Sequence, residues 1–498
     1  MRKIIDAAQV KMADNDCLMS EKIASHELMD RAASAFAGVF RGLVQDKNTP
    51  IIILSGTGNN GGDGLAISRL LDCDGYQNVE VVIIPTGQQP STDFLYNLER
   101  IKEIPVTVRQ LDQASLLGFE SLNLDIANSV LIDALIGIGV NRPLNGGLKE
   151  IVLSLNNRCK RVVAVDIPTG LRGEEGLPGD EVILQADEVI AFQRPKLNFF
   201  FPETAKFVGN FYVVDIGLRE KFLAELPSRY YCIENSDIQK IYKKRKAFSH
   251  KGDYGHVLVF AGSKGKIGAA LICAEACLYG GAGLTTVCLP QEDRQSLYAR
   301  LPEAMMAEAE DLFTGRDYSA IAFGPGLSDR ASSLPSLLEK SKAPLVIDAD
   351  GLNYLASHTA LLNILPKETV LTPHMKEFDR LFGSSPNWWE RLQLAIRKAQ
   401  ELNLIIVLKN RYTFIVTNTG DVLINPTGNP AMAIGGMGDA LTGLIASFLA
   451  QGYSPRDACM LGCFLHGRAG DRLQLEGHAL VLPTALIKQI PLLLGEIK

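Results

Sequence analysis

The 498-residue sequence lacks several patterns that mark specialised classes of protein. Its nine cysteines include no Cys-x-x-Cys pair. Cys273/Cys277 and Cys459/Cys463 are each four residues apart in predicted helices, which favours buried, reduced thiols over a zinc site. We therefore expect the protein to be located in a reducing cytoplasm. No uncharged apolar run approaches the ~20 residues of a membrane span, and the N-terminal residues turn acidic too early for a targeting peptide.

The net charge and the absence of a nucleotide-binding motif argue against further classes of protein. The net charge of −6 argues against a broad nucleic-acid surface. No Gly-x-x-x-x-Gly-Lys-Ser/Thr motif occurs, so the chain is not predicted to be a P-loop nucleotidase. A hydrophobic content of 47% and a charged content of 21% are typical of a globular protein, and the length predicts two large domains.

A glycine-rich stretch late in the chain is the strongest local signal. Gly435, Gly436 and Gly438 precede the apolar run 441–449, a pattern that predicts a tight loop opening a helix. The free N–H groups at such a helix start bind an anion, most often a phosphate. Asp439 follows directly and could accept a proton from a hydroxyl that attacks phosphorus. Alternatively, Asp439 is only a first-turn acid favoured by the helix dipole.

The first half contains a second glycine-rich loop. An amphipathic helix is predicted over 20–39, and a buried strand over 51–54 runs into the segment SGTGNNGGDGL. Gly56-x-Gly58-x-x-Gly61 matches the dinucleotide fingerprint, but the next predicted strand, 79–84, does not end in the acidic residue that the fingerprint requires. An ordinary dehydrogenase is therefore not expected.

Further strands follow at regular spacing. The strand 130–132 ends in Asp133, the strand 162–165 ends in Asp166, and strands 189–192 and 212–214 complete the series. Strands that alternate with helices predict a Rossmann-like, doubly wound parallel sheet, whose loops converge at the carboxyl ends of the strands. Taken singly, either aspartate could equally cap the next helix.

SGTGNNGGDG, LIDALIGIG and VDIPTG together resemble the NAD(P)H-hydrate epimerase (YjeF N-terminal) family. The resemblance implies that Asp166 handles a proton and that a potassium ion binds Asn60, Asp133 and Thr169, where Thr169 replaces the usual Ser. Leu171-Arg172-Gly173 departs from a segment that commonly carries Asp, and Lys196 matches a family lysine loosely. The implied contacts to the hydrated nicotinamide nucleotide are Asn59, Asn60, Gly61, Gly62, Asp63, Gly137, Ile138, Gly139, Val140, Asn141, Arg142, Pro143 and Asp166.

The α/β pattern stops and then restarts. Residues 226–246 have no sustained apolar pattern and contain the basic run 243–246, which predicts a solvated linker. Beyond it, buried strands are predicted at 256–260, 284–289, 320–323, 345–347, 370–371 and 405–408, with a helix over 268–279. The sequence thus predicts domains over 1–225 and 247–498.

Five ordered segments of the second half, among them FGPGL, LTPHMKEF and GNPAMAIGGMGDALTG, resemble the ribokinase-like superfamily and, within it, the ADP/ATP-dependent NAD(P)H-hydrate dehydratases. Asn410 stands where that family usually has Gly, and because Asn tolerates the left-handed region we expect the turn to persist. Asp348, Asp350 and Asn353 are interpreted as turn residues outside the site. The implied substrate contacts are Ala269, Gly326, His374 and Asp439, and the implied nucleotide contacts are Lys409, Asn410, Arg411, Tyr412, Thr413 and Gly438.

Both resemblances together imply a bifunctional repair enzyme. The second domain would phosphorylate the C6 hydroxyl of the hydrate, using ADP or ATP with Mg²⁺, and then eliminate phosphate, with Asp439 as the base. The first would interconvert the two C6 epimers, and the chain would form a homo-oligomer. Two alternatives remain at this stage: a ribokinase-like kinase for a small alcohol fused to a nucleotide-binding domain, and a protein whose first half only senses nucleotide.

Overall fold

The structure is a computed structural model that describes residues 1–87, 89–139, 142–173, 176, 181–309, 312 and 317–497. It divides into two compact units. The first comprises Lys3–Ser228, and the second comprises Arg229–Lys498 together with Met1–Arg2. Each unit is built around its own sheet.

Helices and parallel strands alternate through the first 228 residues. In chain order the elements are β1 (Arg2–Lys3), α1 (Ala7–Glu21), α2 (Ser25–Leu43), β2 (Ile51–Ser55), α3 (Asn59–Cys73), β3 (Val79–Ile83), α4 (Thr92–Ile101), β4 (Thr107–Gln110), α5 (Leu116–Ser121), β5 (Val130–Ala134), α6 (Gly146–Arg158), β6 (Val162–Val165), β7 (Ala186–Phe192), β8 (Val208–Val214) and α7 (Glu220–Glu225).

The first unit has a parallel sheet in the order β4-β3-β2-β5-β6-β7-β8. Successive residues of β2 point to opposite faces: Ile51 and Ile53 join one apolar cluster, and Ile52 and Leu54 join another. The sheet is therefore buried on both faces, which confirms the doubly wound prediction. The strand order reverses between β2 and β5, so their following loops diverge and leave a crevice.

The first helical region differs from the prediction. A single helix was expected over 20–39, whereas α1 ends at Glu21 and α2 begins at Ser25. Lys22 adopts φ 56°, the left-handed conformation that closes a helix C-terminus. At the other end of α1, Asp6 and Gln9 form a capping box, because each side chain accepts the backbone N–H of the other.

The second unit repeats the alternation of strands and helices. In chain order its elements are β9 (Tyr230–Cys232), α8 (Asn235–Ile241), β10 (His256–Phe260), α9 (Ile267–Tyr279), β11 (Leu284–Cys288), α10 (Arg294–Arg300), β12 (Met305–Ala307), β13 (Ala320–Phe323), α11 (Leu334–Lys340), β14 (Leu345–Ile347), α12 (Asp350–Ser357), β15 (Val370–Leu371), α13 (Met375–Phe382), α14 (Trp388–Leu402), β16 (Ile405–Leu408), β17 (Thr413–Val416), β18 (Val422–Asn425), α15 (Met437–Ala450), α16 (Pro455–Leu475) and α17 (Pro483–Glu496).

The sheet of this unit runs β1-β9-β18-β17-β16-β15-β14-β13-β10-β11-β12. From β12 to β16 in this order, each strand pairs in parallel with the next. β17 pairs in antiparallel orientation with both of its neighbours, β16 and β18. β9 pairs in parallel with β18. The segment 226–246, predicted to be a linker, thus supplies a strand and the helix α8 to the second unit; a three-residue strand is too short to leave a detectable apolar pattern.

The predicted thiol state agrees with the structure. All nine cysteines are free, and Cys273, Cys277, Cys459 and Cys463 are buried, which confirms the interpretation of these four as buried thiols. Within the described part of the chain, no helix combines the length and the apolarity needed to cross a bilayer.

Candidate active sites

The first glycine-rich loop leads directly into a helix start. α3 begins at Asn59, immediately beyond the loop that follows β2, so Asn59–Asp63 form its first turn. A Cβ at Gly61 would lie 1.9 Å from the carbonyl oxygen of Gly56, and a Cβ at Gly62 would lie 2.9 Å from the sulfur of Met29. Packing of α3 against its own loop therefore requires glycine at position 61, whereas at position 62 the flexible Met29 side chain would have to move.

A cavity of about 390 Å³ opens beside this turn. Seven of the predicted contacts line it: Asn59, Asn60, Asp63, Gly137, Ile138, Gly139 and Asp166. Arg142 and Pro143 line an adjoining cavity of about 370 Å³, which shares Thr86, Ile136 and Gly139 with the first. Gly61 and Gly62 lie behind the cavity wall, and the predicted contacts Val140 and Asn141 fall outside the described residues.

Asp166 is held at the carboxyl end of β6. It adopts φ 63°, a strained backbone conformation of the kind that concentrates at functional sites. Its Oδ1 accepts hydrogen bonds from the Lys196 ammonium at 2.5 Å and from the Phe192 backbone N–H at 2.9 Å. Asp166 and Lys196 are 8% and 3% exposed, so the pair is a buried ion pair that fixes the carboxylate.

Two further carboxyl groups face the same cavity, and one was not predicted. Asp14, on α1, lines the cavity, and burial together with the negative charge of Asp166 raises its pKa to about 6. Burial, and then the charges of Asp166 and Asp14, raise the pKa of Asp63 well above its usual range. Asp14 escaped sequence analysis because α1 shows little apolar periodicity and no motif surrounds the residue.

Two of the predicted potassium ligands, Asp133 and Thr169, lie at the carboxyl ends of β5 and β6, and the third, Asn60, lies on the first turn of α3. Asp133 is fully buried, and Thr169 donates to it twice, from Oγ1 at 2.6 Å and from the backbone N–H at 2.7 Å. Burial raises the pKa of Asp133 to about 6 despite these hydrogen bonds. Asp133 forms no ion pair with any described residue, and the buried Asn60 amide nitrogen has no hydrogen-bond partner there.

The second glycine-rich stretch opens a helix, as predicted. Gly436 adopts φ 91° and precedes α15, which begins at Met437. The backbone N–H groups of the first turn of α15 therefore have no acceptor within the helix. A Cβ at Gly438 would lie 3.3 Å from both Asp348 Oδ2 and Lys409 Nζ. Glycine here lets the helix start approach that charged pair.

Asp348, interpreted from the sequence as a turn residue outside the site, contacts the predicted nucleotide contact Lys409 and the helix α15. Lys409 Nζ donates to its Oδ1 at 2.7 Å, and Thr442 Oγ1 donates to its Oδ2 at 2.9 Å. Asp348 is 1% exposed. Burial by itself would raise the pKa of Asp348, but the Lys409 charge and these hydrogen bonds outweigh it and hold that pKa below its usual value.

The pKa of Asp439, on the first turn of α15, is shifted in the opposite direction. Burial, and then the negative charge of Asp348, raise the pKa of Asp439 to about 7, although Lys409 acts in the other direction. Asp350 adds a smaller repulsion. A carboxylate whose pKa lies near neutral pH is suited to accept a proton in a reaction and to release it afterwards.

A cavity of about 440 Å³ lies next to this helix start. The predicted nucleotide contacts Lys409, Asn410, Arg411, Thr413 and Gly438 line it, together with side chains that were not predicted: Asn425, Thr427, Asn429 and His466. Tyr412 is not part of the lining, and the Arg411 guanidinium lies over its ring at 4.5 Å.

The expected left-handed turn at Asn410 does not form. Asn410 is absent from the described residues that have positive φ, and its Oδ1 instead accepts the Arg411 N–H at 2.8 Å. A side-chain hydrogen bond to the neighbouring backbone thus stabilises this turn without the left-handed conformation.

The remaining predicted substrate contacts lie at the carboxyl ends of neighbouring strands. Gly326 and Ala269 are adjacent, because a Cβ at Gly326 would lie 3.0 Å from the Ala269 Cβ. His374 pairs with Lys409 in a parallel bridge. Its Nδ1 caps α13 by accepting the N–H groups of Lys376 and Glu377, while the imidazole is half exposed. His374 therefore has a structural role whether or not it touches a ligand.

Comparisons with known proteins agree with this two-site architecture. A family model described as "YjeF-related protein N-terminus" matches residues 25–198, and one described as "NAD(P)H-hydrate dehydratase" matches residues 257–492. A crystal structure of a ribokinase-like superfamily protein from Enterococcus faecalis is 30% identical, with a TM-score of 0.51, and covers 55% of this chain and 98% of its own. The second unit therefore has the ribokinase-like fold.

Full-length relatives combine both parts. The bifunctional NAD(P)H-hydrate repair enzyme Nnr of Moorella thermoacetica is 32% identical over 519 residues, which cover 99% of this chain and 97% of the relative. The enzyme of the same name from Escherichia coli is 31% identical over 457 residues, 90% of this chain and 85% of the relative. Because the similarity runs through both units, this chain belongs to the family of bifunctional NAD(P)H-hydrate repair enzymes.

Proposed function

We propose that the unit Lys3–Ser228 interconverts the two C6 epimers of NAD(P)H hydrate, and that the unit Arg229–Lys498 dehydrates one epimer to NAD(P)H at the expense of ADP or ATP. The observation that carries the second assignment is the position of Asp439 on the free helix start, beside the Lys409–Asp348 ion pair and next to a cavity of about 440 Å³. These parts suit phosphoryl transfer to a hydroxyl.

In the dehydratase step, Asp439 accepts the proton of the C6 hydroxyl while that oxygen attacks the terminal phosphorus of the nucleotide. The N–H groups at the start of α15 and the Lys409 ammonium stabilise the negative charge on the transferred phosphoryl group. Phosphate is a better leaving group than hydroxide, so the phosphorylated ring eliminates it and regains its double bond. Only the epimer whose hydroxyl reaches Asp439 reacts.

Mg²⁺ fits this site as the companion of the nucleotide. No group of three His, Cys, Asp or Glu side chains in the described ranges is arranged to hold a metal without help. Mg²⁺ is commonly held by one or two carboxylates and by substrate phosphates, so it would arrive with ADP or ATP and offset phosphate charge.

Potassium fits the first unit. Asp133 is a buried carboxylate without an ionic partner among the described residues, the Thr169 hydroxyl donates to it, and Asn60 supplies a neutral polar group that lines the cavity. Asn60, Asp133 and Thr169 would hold the ion, whose charge would offset that of Asp133. One carboxylate with neutral oxygens suits a monovalent cation more than a divalent one.

The setting proposed for the enzyme is a reducing cytoplasm, supported by nine free thiols. A homo-oligomer is proposed from family resemblance alone. Cross-linking at several protein concentrations, or analytical ultracentrifugation, measures the subunit number.

The decisive experiment supplies a mixture of both hydrate epimers with ADP or ATP and follows the absorbance of the reduced nicotinamide. Recovery of the whole mixture faster than spontaneous epimerisation allows, with one free phosphate per NAD(P)H formed, requires both activities. Recovery that stops when one epimer is consumed would contradict the epimerase assignment. Accumulation of a stable phosphorylated product would instead identify the second unit as a kinase.

Asp439→Asn provides the matched control. It should lower the rate of dehydration by ~10²–10⁴, the usual loss on removal of a general base, and leave interconversion of the epimers unchanged. Wild-type turnover in this variant at saturating nucleotide would exclude Asp439 as the base.

A further inference from the structure

The helix α1 carries a carboxyl group into the cavity of the first unit. Asp14 lines this cavity together with Asp166 and Lys196. Its neighbours along the helix, Ala13 and Cys17, are 2% and 0% exposed and belong to an apolar cluster that fixes α1 in place. Asp14 is therefore held at the cavity wall by buried residues on its own helix.

That apolar cluster also reaches the cavity. Ile216 and Leu218 belong to it and line the cavity beside Asp14. The wall around Asp14 thus combines an acidic group with apolar side chains that exclude water. Such surroundings favour the protonated form of a carboxyl group.

The carboxyl groups of the cavity are not equivalent. Asp166 is fixed by the Lys196 ammonium and the Phe192 N–H. Neither Asp14 nor Asp63 forms an ion pair with a described residue, and each has a raised pKa, about 6 for Asp14. The cavity thus holds a carboxylate anchored by an ion pair and, from a different element, a carboxyl group whose pKa burial raises to about 6.

A separate observation indicates that the cavity is built for a polar ligand. Asn60 lines it, is 8% exposed, and has a buried amide nitrogen without a partner among the described residues. A buried donor without an acceptor is unfavourable unless a ligand satisfies it.

We propose that Asp14 is a catalytic residue of epimerisation, donating a proton to the C6 hydroxyl of the hydrate, while Asp166 accepts a proton from the water that replaces it. This role rests on the proposed function of the first unit. As the C6–O bond breaks, its electron pair leaves with the oxygen, and the Asp14 proton completes a water molecule. The lone pair of the ring nitrogen forms a C=N bond to C6.

Water then adds to the other face of C6. The C=N electron pair returns to nitrogen, and the added water loses a proton to Asp166. The configuration at C6 is now inverted, and one proton has passed from Asp14 to Asp166. Proton exchange with solvent restores the starting protonation states of both groups. No oxidant, reductant or nucleotide is consumed, in agreement with an isomerisation.

The proton donor must be protonated in the free enzyme. The charged or titratable groups that face Asp14 are Lys11 on its own helix, Cys17 one turn on, and, from other elements, Asp63, Asp166, Arg194 and Lys196. Because Asp14 loses its proton near pH 6, kcat/KM for epimerisation should fall as the pH rises through about 6, after subtraction of spontaneous epimerisation.

The test compares Asp14→Asn with Asp14→Glu and with Asp16→Asn. Asp16 lies on the same helix but pairs with Arg219 and does not line the cavity, so it is the matched control. The full chain is supplied with both epimers, saturating hydrate and ADP. The second unit consumes one epimer in a fast phase, and a slow phase then reports epimerisation of the other.

Asp14→Asn should lower kcat of the slow phase by ~10²–10⁴ and abolish the pH limb near 6, with the fast phase unchanged. Asp14→Glu should restore part of the rate, and Asp16→Asn should match the wild type. A folded Asp14→Asn protein with kcat within about twofold of wild type, or with only KM altered, would overturn the role of Asp14. A wild-type protein without a catalysed slow phase would instead overturn the proposed epimerase.

Discussion

Replacement of Asp348 by Asn tests how the second site sets the protonation of its base. The pKa of Asp439 is about 7 rather than its usual 3.8, because of burial and the negative charge of Asp348. A base acts in its ionised form, so with this pKa about one tenth of the enzyme is active at pH 6 and about nine tenths at pH 8. Wild-type kcat/KM for dehydration should therefore rise about tenfold over this range.

Asp348→Asn removes a neighbouring negative charge and releases Lys409 from its ion pair, and both changes favour ionised Asp439. A charge at close range shifts a pKa by ~1–3 units, so the midpoint should move from about 7 to about 6 or lower. The rise in kcat/KM between pH 6 and 8 should therefore shrink from about tenfold to about twofold or less. The assay is the initial rate of NAD(P)H formation from the correct epimer with saturating ADP, measured at half-unit intervals of pH.

Thr442→Val is the control for this experiment. It removes the hydrogen bond to Asp348 Oδ2 and keeps the negative charge, so the midpoint should remain near 7. Thermal unfolding identifies any variant that is not folded at the assay temperature. A folded Asp348→Asn protein whose midpoint stays near 7 would refute the electrostatic argument, and a flat wild-type profile would refute the assignment of Asp439 as the base.

Three further predictions concern the first unit. Asp133→Ala should raise the potassium concentration needed for epimerisation, or abolish that activity, with dehydration of the correct epimer unchanged. The assay measures epimerase rates at increasing potassium concentration, while sodium keeps the ionic strength constant. A wild-type rate that does not respond to potassium would contradict the proposed potassium site. Gly61→Ala should lower the free energy of unfolding by ~1–3 kcal/mol or more, because its Cβ would lie 1.9 Å from a carbonyl oxygen, whereas Gly58→Ala meets nothing within 4 Å and should be nearly neutral in a denaturant titration. A polypeptide of residues 3–228 should fold and epimerise the hydrate without adenine nucleotide, and a well-folded but inactive fragment would contradict the assignment.

The buried strands were predictable from sequence because strands covered on both faces leave continuous apolar runs. Ile51–Ser55 and Ile405–Leu408 are examples, and each is followed by the polar loop that the sequence indicated. α1 and Tyr230–Cys232 were not predicted. The apolar residues of the helix do not recur at helical spacing, and the strand is stabilised by pairing with a distant part of the chain.

The sequence led to a prediction for a residue where a motif surrounds it, and to none where neighbouring charges decide the role. Asp439 and Asp166 were identified from the residues around them. Asp348 and Asp14 required three-dimensional information, because the importance of Asp348 comes from Lys409, which is 61 residues away in sequence. The side chain of Asp14 reaches its cavity from a helix that no motif marks.

The short strand Tyr230–Cys232 has a consequence for how the chain can be divided. It covers β18, whose residues Val422–Asn425 are all buried. A fragment that starts at the sequence-based boundary, residue 247, would lack this cover and expose an apolar strand with unpaired backbone groups, which is a template for aggregation. Insolubility of such a fragment would reflect that open strand, and would carry no information on whether the two activities depend on each other. A freestanding second unit should begin at Arg229.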